Sequence, residues 1–286
     1  MKVGIFPMKI KIVTDSTSDI SPELAKELDI EVIPAYVRFG KAIYKDGVDL
    51  SKSRFYQMLA ESPFDPVTSA ATTQDFAQVY SRSLNNADGI VSIHVSSKLS
   101  RIFNSAQNGK KSVKRKDEIE IVDSRFVSIG LGLAVIAAAK MAKSGENLQS
   151  IIRETKQTIS RINMLGFLDT MKYISRGGRA TKSVIDLSSA FRIKPVIAFK
   201  DGQVMADGLV GTYSLGIDRL CKFVERVPII QDLAIAYNTN YEPIKEMERR
   251  LGSIFPKERI YVEQIGAAFG SHSGPNAVFV AFKKTS

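Results

Sequence analysis

Residues 10–29 read IKIVTDSTSDISPELAKELD. The first seven, IKIVTDS, predict a buried strand that ends in polar side chains. A helix is predicted next, because Ser21 is a favoured N-cap residue and Pro22 is favoured at the first helical position. A strand followed at once by a helix is the repeating unit of α/β proteins.

The same alternation continues to about residue 160. Strands are predicted at EVIPAYVRF (31–39), GIVSIHV (89–95) and EIEIVDS (118–124), and GLGLAVIAAAKMAKSG (130–145) predicts a buried helix because it is apolar nearly all round. This pattern predicts a parallel sheet with helices on both faces. Three strands end in polar pairs, which should meet at the ligand-binding edge of the sheet: Asp15-Ser16, Ser96-Ser97 and Asp123-Ser124.

The pattern changes in the second half. FRIKPVIAFKDGQVMADGLV (191–210) predicts a hairpin with its turn at Asp201-Gly202, and hairpin and helix signals are mixed from there to the last strand. We therefore predict two domains. Residues 1–160 form a Rossmann-like parallel α/β domain, in which 1–7 are an extension if Met8 is the start, and residues 161–286 form an α+β domain with a mixed or antiparallel sheet.

Composition narrows the class of protein. No apolar run reaches the roughly 20 residues of a membrane span, and the N-terminal segment does not read as a signal peptide. The lone Cys221 excludes a disulfide framework and a Cys-based zinc site, so we expect a cytoplasmic protein. The net charge of +10 indicates an acidic partner, an anionic ligand or nucleic acid. Nucleic acid is disfavoured because no recognition motif is present and the basic residues are dispersed.

Two polar clusters precede predicted helices. Ser96 and Ser97 lie where a strand meets a helix, whose first free N–H groups can bind an anion, although one serine could simply be the N-cap. Thr68 and Ser69 lie in a small-residue segment predicted to be a loop. They come too early to cap the next helix, a role that suits Thr72 or Thr73.

Two further clusters carry cationic or titratable groups. Arg176 and Arg179 flank Gly177-Gly178, where guanidinium groups suit a carboxylate or phosphate and the glycines allow close backbone approach. A plain surface turn explains this segment equally well. His272 lies in GSHSGPNAV, which predicts a flexible loop, and we expect it to be a movable donor to an oxyanion. The alternative is an exposed loop histidine.

These groups supply hydroxyls, amides, guanidiniums and one imidazole, which together bind a carboxylate or phosphate. The motifs G-x-S-x-G, G-x-G-x-x-G, the P-loop and His-rich metal signatures are absent, so no metal is expected. A serine hydrolase or acyl transferase is the alternative. It would use Ser96 or Ser97 with His272 and either Asp15 or Asp123.

Eight motifs occur in order along the chain: IVTDSTSDIS, YKDGVDLS, VTSAAT, HVSSKLSRIFNSA, IVDSRFVSIGLG, SRGGRATK, RIKPVIAFKDGQV and GSHSGPNAVFVAF. Together they resemble the DegV family of bacterial fatty-acid-binding proteins. That family includes the acyl-carrying (FakB-type) subunit of fatty acid kinase. The resemblance spans the chain from Met8 onward.

The resemblance implies a lipid carrier rather than an enzyme, with no cofactor and a long-chain fatty acid buried between two domains. Its carboxylate would be bound by five residues: Thr68, Ser69, Ser96, Ser97 and His272. A separate ATP-dependent kinase would phosphorylate that carboxylate, assisted by Arg179 and His272. The chain departs from the family pattern in three places: Lys98 and Arg101 stand where glycines are usual, TSAAT (68–72) replaces Thr-Ser-Gln-Pro-Ser, and Asn276 replaces the final glycine of the histidine motif. Lys98 and Arg101 place long cations beside the predicted anion site.

Overall fold

The computed structural model describes residues 8–179, 181–185 and 193–285. Its strands are β1 (Ile10–Asp15), β2 (Ile30–Ile33), β3 (Tyr36–Phe39), β4 (Ala42–Lys45), β5 (Val67–Ser69), β6 (Gly89–His94), β7 (Ile119–Asp123), β8 (Ile162–Phe167), β9 (Lys194–Lys200), β10 (Gln203–Val210), β11 (Ile230–Tyr237), β12 (Ile260–Gln264) and β13 (Val278–Lys284). Its α-helices are α1 (Pro22–Glu27), α2 (Lys52–Glu61), α3 (Thr73–Ser83), α4 (Ile102–Lys111), α5 (Ser128–Lys143), α6 (Leu148–Arg161), α7 (Lys172–Gly177), α8 (Lys182–Ile185), α9 (Tyr213–Glu225), α10 (Glu242–Leu251) and α11 (Ala267–Ser273).

The first sheet is parallel and has the strand order β2-β1-β6-β7. Every residue of β6 is buried, so both faces of this strand are covered. Helix α4 contacts β6 and β7 and packs against α3, while α5 and α6 pack against each other and also contact β6. The prediction of a parallel sheet flanked by helices is confirmed.

The second sheet is mixed and has the order β10-β9-β8-β13-β11-β12. Only the β11–β12 pair is parallel within this sheet. The β9–β10 turn lies at Asp201 and Gly202, whose φ angles are 50° and 80°, as a tight two-residue hairpin turn requires. The predicted hairpin and mixed sheet are confirmed, while a domain boundary at residue 160 stays a prediction.

Helix α5 lies between the two sheets. It contacts β1 and β6 of the parallel sheet and β8, β11 and β13 of the mixed sheet. Eleven of its sixteen residues are buried, which explains why its sequence is apolar on every face. None of the helices in the described ranges is long and apolar enough to span a bilayer.

A third, three-stranded antiparallel sheet was not predicted. The segment EVIPAYVRF was expected to be one strand, but it divides at Pro34-Ala35 between β2 and β3, which belong to different sheets. Proline has no N–H to donate to a sheet ladder, so the strand ends there. β3 then pairs with β4 and β5, and Thr68 and Ser69 consequently lie in strand β5 rather than in a loop.

The predicted histidine loop is also wrong, because Ala267–Ser273 form α11. Its glycine and alanines serve close packing rather than flexibility. A Cβ atom added at Gly270 would lie 2.7 Å from the Phe55 ring, so only glycine fits against α2. His272 therefore sits in the last turn of a packed helix.

Candidate functional site

A cavity of about 420 Å³ is lined by residues from both halves of the chain. Volumes of this order are typical of small-molecule sites, which combine an apolar wall with a few polar groups. Most of the wall is apolar and includes Leu99, Ile102, Leu168, Ile197, Phe199 and Phe269. Its polar groups are Thr17, Thr68, Ser69, Ser100, Arg101, Arg179, His272 and Ser273.

Three of the five predicted ligand-binding residues meet at this cavity. Thr68 and Ser69 come from the edge strand β5, and His272 comes from α11. The His272 Nε2 atom lies 2.9 Å from the Thr68 hydroxyl oxygen, so the two side chains are hydrogen-bonded across 204 residues of sequence. That these residues bind a ligand stays a prediction.

His272 is an uncharged imidazole near neutral pH. Burial lowers its pKa to about 4, and the nearby positive charge of Arg179 contributes in the same direction. Its Nδ1 atom is buried and has no hydrogen-bond partner among the described residues. A Cβ atom added at Gly177 would lie 2.1 Å from that nitrogen, so the ring packs directly on the backbone of α7. The close approach predicted for this glycine pair is confirmed at Gly177.

Two buried carboxylates hold the other end of α11. Asp19 accepts hydrogen bonds from the Gly266 N–H at 2.8 Å and the Ser128 hydroxyl at 2.5 Å. Asp46 accepts from the N–H groups of Ala267 at 2.9 Å and Ala268 at 3.2 Å. Since the first N–H groups of a helix lack intrahelical partners, these carboxylates satisfy them and fix where the helix begins.

The pKa of each of these carboxyl groups is raised above its ordinary value. Burial raises the pKa of Asp19 to about 7, although the Lys52 ammonium and the Ser128 hydroxyl act against the shift. Burial likewise raises the pKa of Asp46. Lys52 Nζ also donates to the Gln264 carbonyl at 2.5 Å. Sequence reasoning treated these carboxylates as unrelated, because only the fold brings the segments after β1 and β4 to one helix end.

Ser96 and Ser97 were predicted to bind the ligand, but the structure places neither on the cavity wall. The Ser96 hydroxyl is fully buried and donates to the Gly202 carbonyl at 2.7 Å, which joins the β9–β10 hairpin to the end of β6. The Ser97 hydroxyl donates to Asp123 Oδ2 at 2.6 Å. Ser100, missed from sequence, lines the cavity instead. Its hydroxyl accepts the Ile102 N–H from one residue before the N-cap of α4, so a serine at the helix start in KLSRI was the available signal.

The geometry needed by the hydrolase alternative is absent. His272 is bonded to Thr68 rather than to a serine, and Asp123 is bonded to Ser97. Asp15 instead contacts the second histidine, since its Oδ2 lies 2.9 Å from His94 Nδ1.

That second histidine, missed from sequence, belongs to a buried hydrogen-bonded chain. His94 Nε2 lies 2.6 Å from the Ser92 hydroxyl, which is also bonded to Tyr80. Asp15, His94 and Ser92 have the order of a catalytic triad, but their exposed fractions are all 0%. Ser92 is thus closed off from solvent, and the hydrogen bonds of these residues join the end of β1 to β6.

The three residues that stand in place of family glycines have different environments. Arg101 lines the cavity, whereas Lys98 is exposed and lies outside the lining. Asn276 has a φ of 56°, a left-handed conformation that asparagine tolerates better than most residues, so it can replace glycine there. Its amide oxygen also accepts a hydrogen bond from Thr239 at 2.6 Å. Among the residues with described positions, no group of three or more His, Cys, Asp or Glu side chains could hold a metal ion.

Comparison with known proteins gives a consistent result. Residues 9–285 match a family model described as "Uncharacterised protein, DegV family". A DegV domain-containing protein of Caldanaerobacter subterraneus subsp. tengcongensis is 31% identical over 279 residues, covering 96% of this chain and 99% of the relative. One from Deinococcus radiodurans is 29% identical over 282 residues, covering 98% of this chain and 100% of the relative.

Solved structures agree with these matches. A fatty-acid-binding DegV family protein from Thermus thermophilus superimposes with a TM-score of 0.87 at 29% identity, covering 96% of this chain and 100% of that one. DegV from Bacillus subtilis, a fatty-acid-binding protein, has a TM-score of 0.87 at 24% identity, covering 97% of this chain and 100% of that one. The match along nearly the whole chain, in sequence and in fold, shows that this protein belongs to the DegV family.

Proposed function

We propose that the protein binds a long-chain fatty acid in the cavity. The single observation that carries this proposal is an apolar cavity with a partly buried, hydrogen-bonded Thr68–His272 pair on its wall. The acyl chain lies along the apolar side chains, and Thr68, Ser69, Ser100 and His272 are the head-group ligands. Fatty-acid binding by the related Thermus thermophilus protein supports the same ligand class.

The energetics favour such a ligand. Burying an acyl chain of about 16 carbons at about 0.8 kcal/mol per CH₂ gives a gross driving force above ~10 kcal/mol, before the costs of ordering ligand and protein. The carboxylate needs well-placed partners, because an unpaired buried charge costs several kcal/mol. Hydroxyl groups and an imidazole provide hydrogen bonds without bringing a second buried charge.

We further propose that this protein is a carrier, not itself an enzyme, that presents the fatty acid to an ATP-dependent kinase in the cytoplasm. A carboxylate oxygen would bond to the γ-phosphorus of ATP on the partner while the bond to ADP breaks, leaving an acyl phosphate on the carrier. Arg179 would assist this step; its side chain lines the cavity, and its positive charge acts on His272, which supports the proposal.

Mass spectrometry of an organic extract tests the lipid proposal. Purified protein should release a long-chain fatty acid or, after delipidation, bind added palmitate or oleate at about one per chain. Ala70→Leu should weaken uptake because Ala70 lines the cavity. Ala60→Leu, an exposed position on α2, is the matched control. The proposal fails if no fatty acid is released or bound, or if the two variants bind alike.

A further inference from the structure

A second pocket of about 180 Å³ adjoins the main cavity, and we call it the outer pocket. Thr68, Arg179 and His272 line both spaces, so the hydrogen-bonded Thr68–His272 pair separates them. Asp65 and Arg176 line the outer pocket but not the main cavity. A ligand head group at this shared wall could therefore extend its chain into the main cavity and a further group into the outer pocket.

The chemistry of the outer pocket differs from that of the main cavity. Two arginines, Arg176 and Arg179, and one carboxylate, Asp65, line the outer pocket, whereas no carboxylate among the described residues lines the main cavity. Arg179 donates to two backbone carbonyls, those of Gly177 at 2.5 Å and Leu99 at 3.3 Å. Arg176 forms an ion pair with Asp65, and both side chains are about half exposed, at 53% and 54%. Arginine side chains present planar donors that match phosphate oxygens.

The outer pocket is also large enough for a phosphate group. A water molecule occupies roughly 30 Å³ in the liquid, so a pocket of about 180 Å³ accommodates a phosphate group with its oxygens. An exposed ion pair contributes little free energy, typically below about 1 kcal/mol. Arg176 can therefore exchange Asp65 for a dianionic phosphate at little cost.

We propose that the outer pocket binds the phosphate of an acyl phosphate whose acyl chain occupies the main cavity, with Arg176 as a phosphate ligand. The proposal rests on the proposed function, because the acyl chain places the head group at the shared wall. Asp65 holds Arg176 in the absence of phosphate and repels the phosphate when it arrives. The side chain at residue 176 thus discriminates between a carboxylate and an acyl phosphate.

A stable acyl phosphonate provides the test, since it cannot transfer its phosphorus group to water. Palmitoyl phosphonate and palmitate are compared by calorimetric titration of the delipidated protein. The natural protein should bind the phosphonate more tightly than palmitate. Arg176→Gln should lose roughly tenfold in phosphonate affinity, as expected for a hydrogen bond between charged groups, and keep its palmitate affinity within about twofold.

Removing the negative charge of Asp65 should have the opposite effect to removing the positive charge of Arg176. Asp65→Asn frees Arg176 and removes a repulsion, so phosphonate affinity should rise while palmitate affinity is unchanged. Arg153→Gln and Glu154→Gln are matched controls, because these residues form an ion pair on the surface of α6. Inorganic phosphate alone should bind far more weakly than the phosphonate, which distinguishes an acyl phosphate from free phosphate as the ligand.

The outcomes separate two kinds of failure. Binding of palmitate without a preference for the phosphonate, equal effects of Arg176→Gln and Arg153→Gln, or weaker phosphonate binding by Asp65→Asn would overturn this inference and leave fatty-acid binding intact. If neither palmitate nor the phosphonate binds, the proposed function itself is wrong, and the inference falls with it.

Discussion

At the scale of single residues, the central feature is that His272 is uncharged in the ligand-free protein. Its pKa of about 4 lies below the ordinary 6.5, so the unfolded chain binds this proton more tightly than the folded chain. This group therefore makes the free energy of unfolding fall as pH drops from about 6.5 to about 4. A bound carboxylate would oppose the shift, because its negative charge favours the imidazolium.

An NMR titration measures this directly. The chain has only two histidines, so His272→Gln assigns the His272 imidazole signal. We expect a midpoint near pH 4 without ligand and a higher midpoint with bound palmitate. Binding should then be accompanied by proton uptake between the two midpoints, and affinity should rise as pH falls through that range. A midpoint that palmitate leaves unchanged would exclude His272 from the head-group site.

Gly177→Ala tests the packing of the same ring. Alanine normally stabilises a helix by up to about 1 kcal/mol relative to glycine. Here its Cβ would lie 2.1 Å from His272 Nδ1, so the imidazole must shift, and the geometry of its hydrogen bond to Thr68 is disturbed. We expect palmitate affinity to fall by about tenfold or more, the cost of one hydrogen bond to a charged group. Gly211→Ala is the control, since nothing lies within 4 Å of its added Cβ, and equal affinities in the two variants would contradict the prediction.

The sequence anticipated some residues of the cavity wall and not others, for physical reasons. Thr68, Ser69 and His272 do line the cavity, and Thr68 and Ser69 were singled out because they come too early to cap the next helix. Ser96 lies off the cavity wall, because the end of a strand does not show which neighbour accepts its hydroxyl, and here that neighbour is Gly202, 106 residues away. Ser100 was not anticipated, because a serine just before a helix is also common in helices without ligands.

At the scale of elements, α11 is the clearest difference between prediction and structure. Its sequence, AAFGSHS, is short and has two serines and a glycine, so a loop was expected. The helix forms because Asp19 and Asp46 accept its first N–H groups and because Gly270 packs against α2. Neither contact can be inferred from the seven residues of α11 themselves, whereas the long apolar helix α5 was predicted from its own sequence.

The pH dependence of stability tests the Asp19 contact. Its pKa of about 7 in the folded chain exceeds the ordinary 3.8, so the folded chain binds more protons between about pH 4 and pH 7. The free energy of unfolding should therefore fall as pH rises through that window, by at most about 1.4 kcal/mol per pH unit for one proton. Asp19→Asn should flatten this slope, because the amide does not titrate while its oxygen still accepts the Gly266 N–H.

Urea unfolding at pH 5, 6, 7 and 8 provides the measurement. Asp117→Asn, at an exposed carboxylate, is the control and should keep the slope of the natural protein. Because Asp46 is also perturbed, part of the slope should survive in Asp19→Asn. Identical slopes in the natural protein and Asp19→Asn would show that the carboxyl is ionised in the fold at all these pH values.

At the scale of the whole molecule, the cavity depends on contacts between the two halves of the chain. Its wall takes Thr68 and Val95 from the first half and Ile197, Phe199 and His272 from the second. A bound acyl chain contacts both sets and therefore stabilises only the assembled fold. The parallel and mixed sheets were predictable from the strand, helix and hairpin patterns. The third sheet and the cavity were not, because β3 pairs with a distant strand, β5, and the cavity wall is made of side chains distant in sequence.

Ligand-linked stability follows from that arrangement. Palmitate at 100 times its Kd should raise the free energy of unfolding by about 2.7 kcal/mol if it binds only the folded chain. Chemical unfolding with and without palmitate measures the increment. Ala70→Leu should show a much smaller increment at the same palmitate concentration, and an increment equal to that of Ala60→Leu would mean that palmitate acts elsewhere on the surface.

The position of α5 has a consequence for how such proteins can be cut and recombined. Helix α5 forms part of the core under both sheets. A fragment that ends after α6 would therefore expose the apolar face of α5 that β8, β11 and β13 cover in the whole chain. Expressed alone, such a fragment should aggregate. Chimaeras that take their halves from different relatives should fold poorly unless the α5 residues that face each sheet come from the same relative as that sheet.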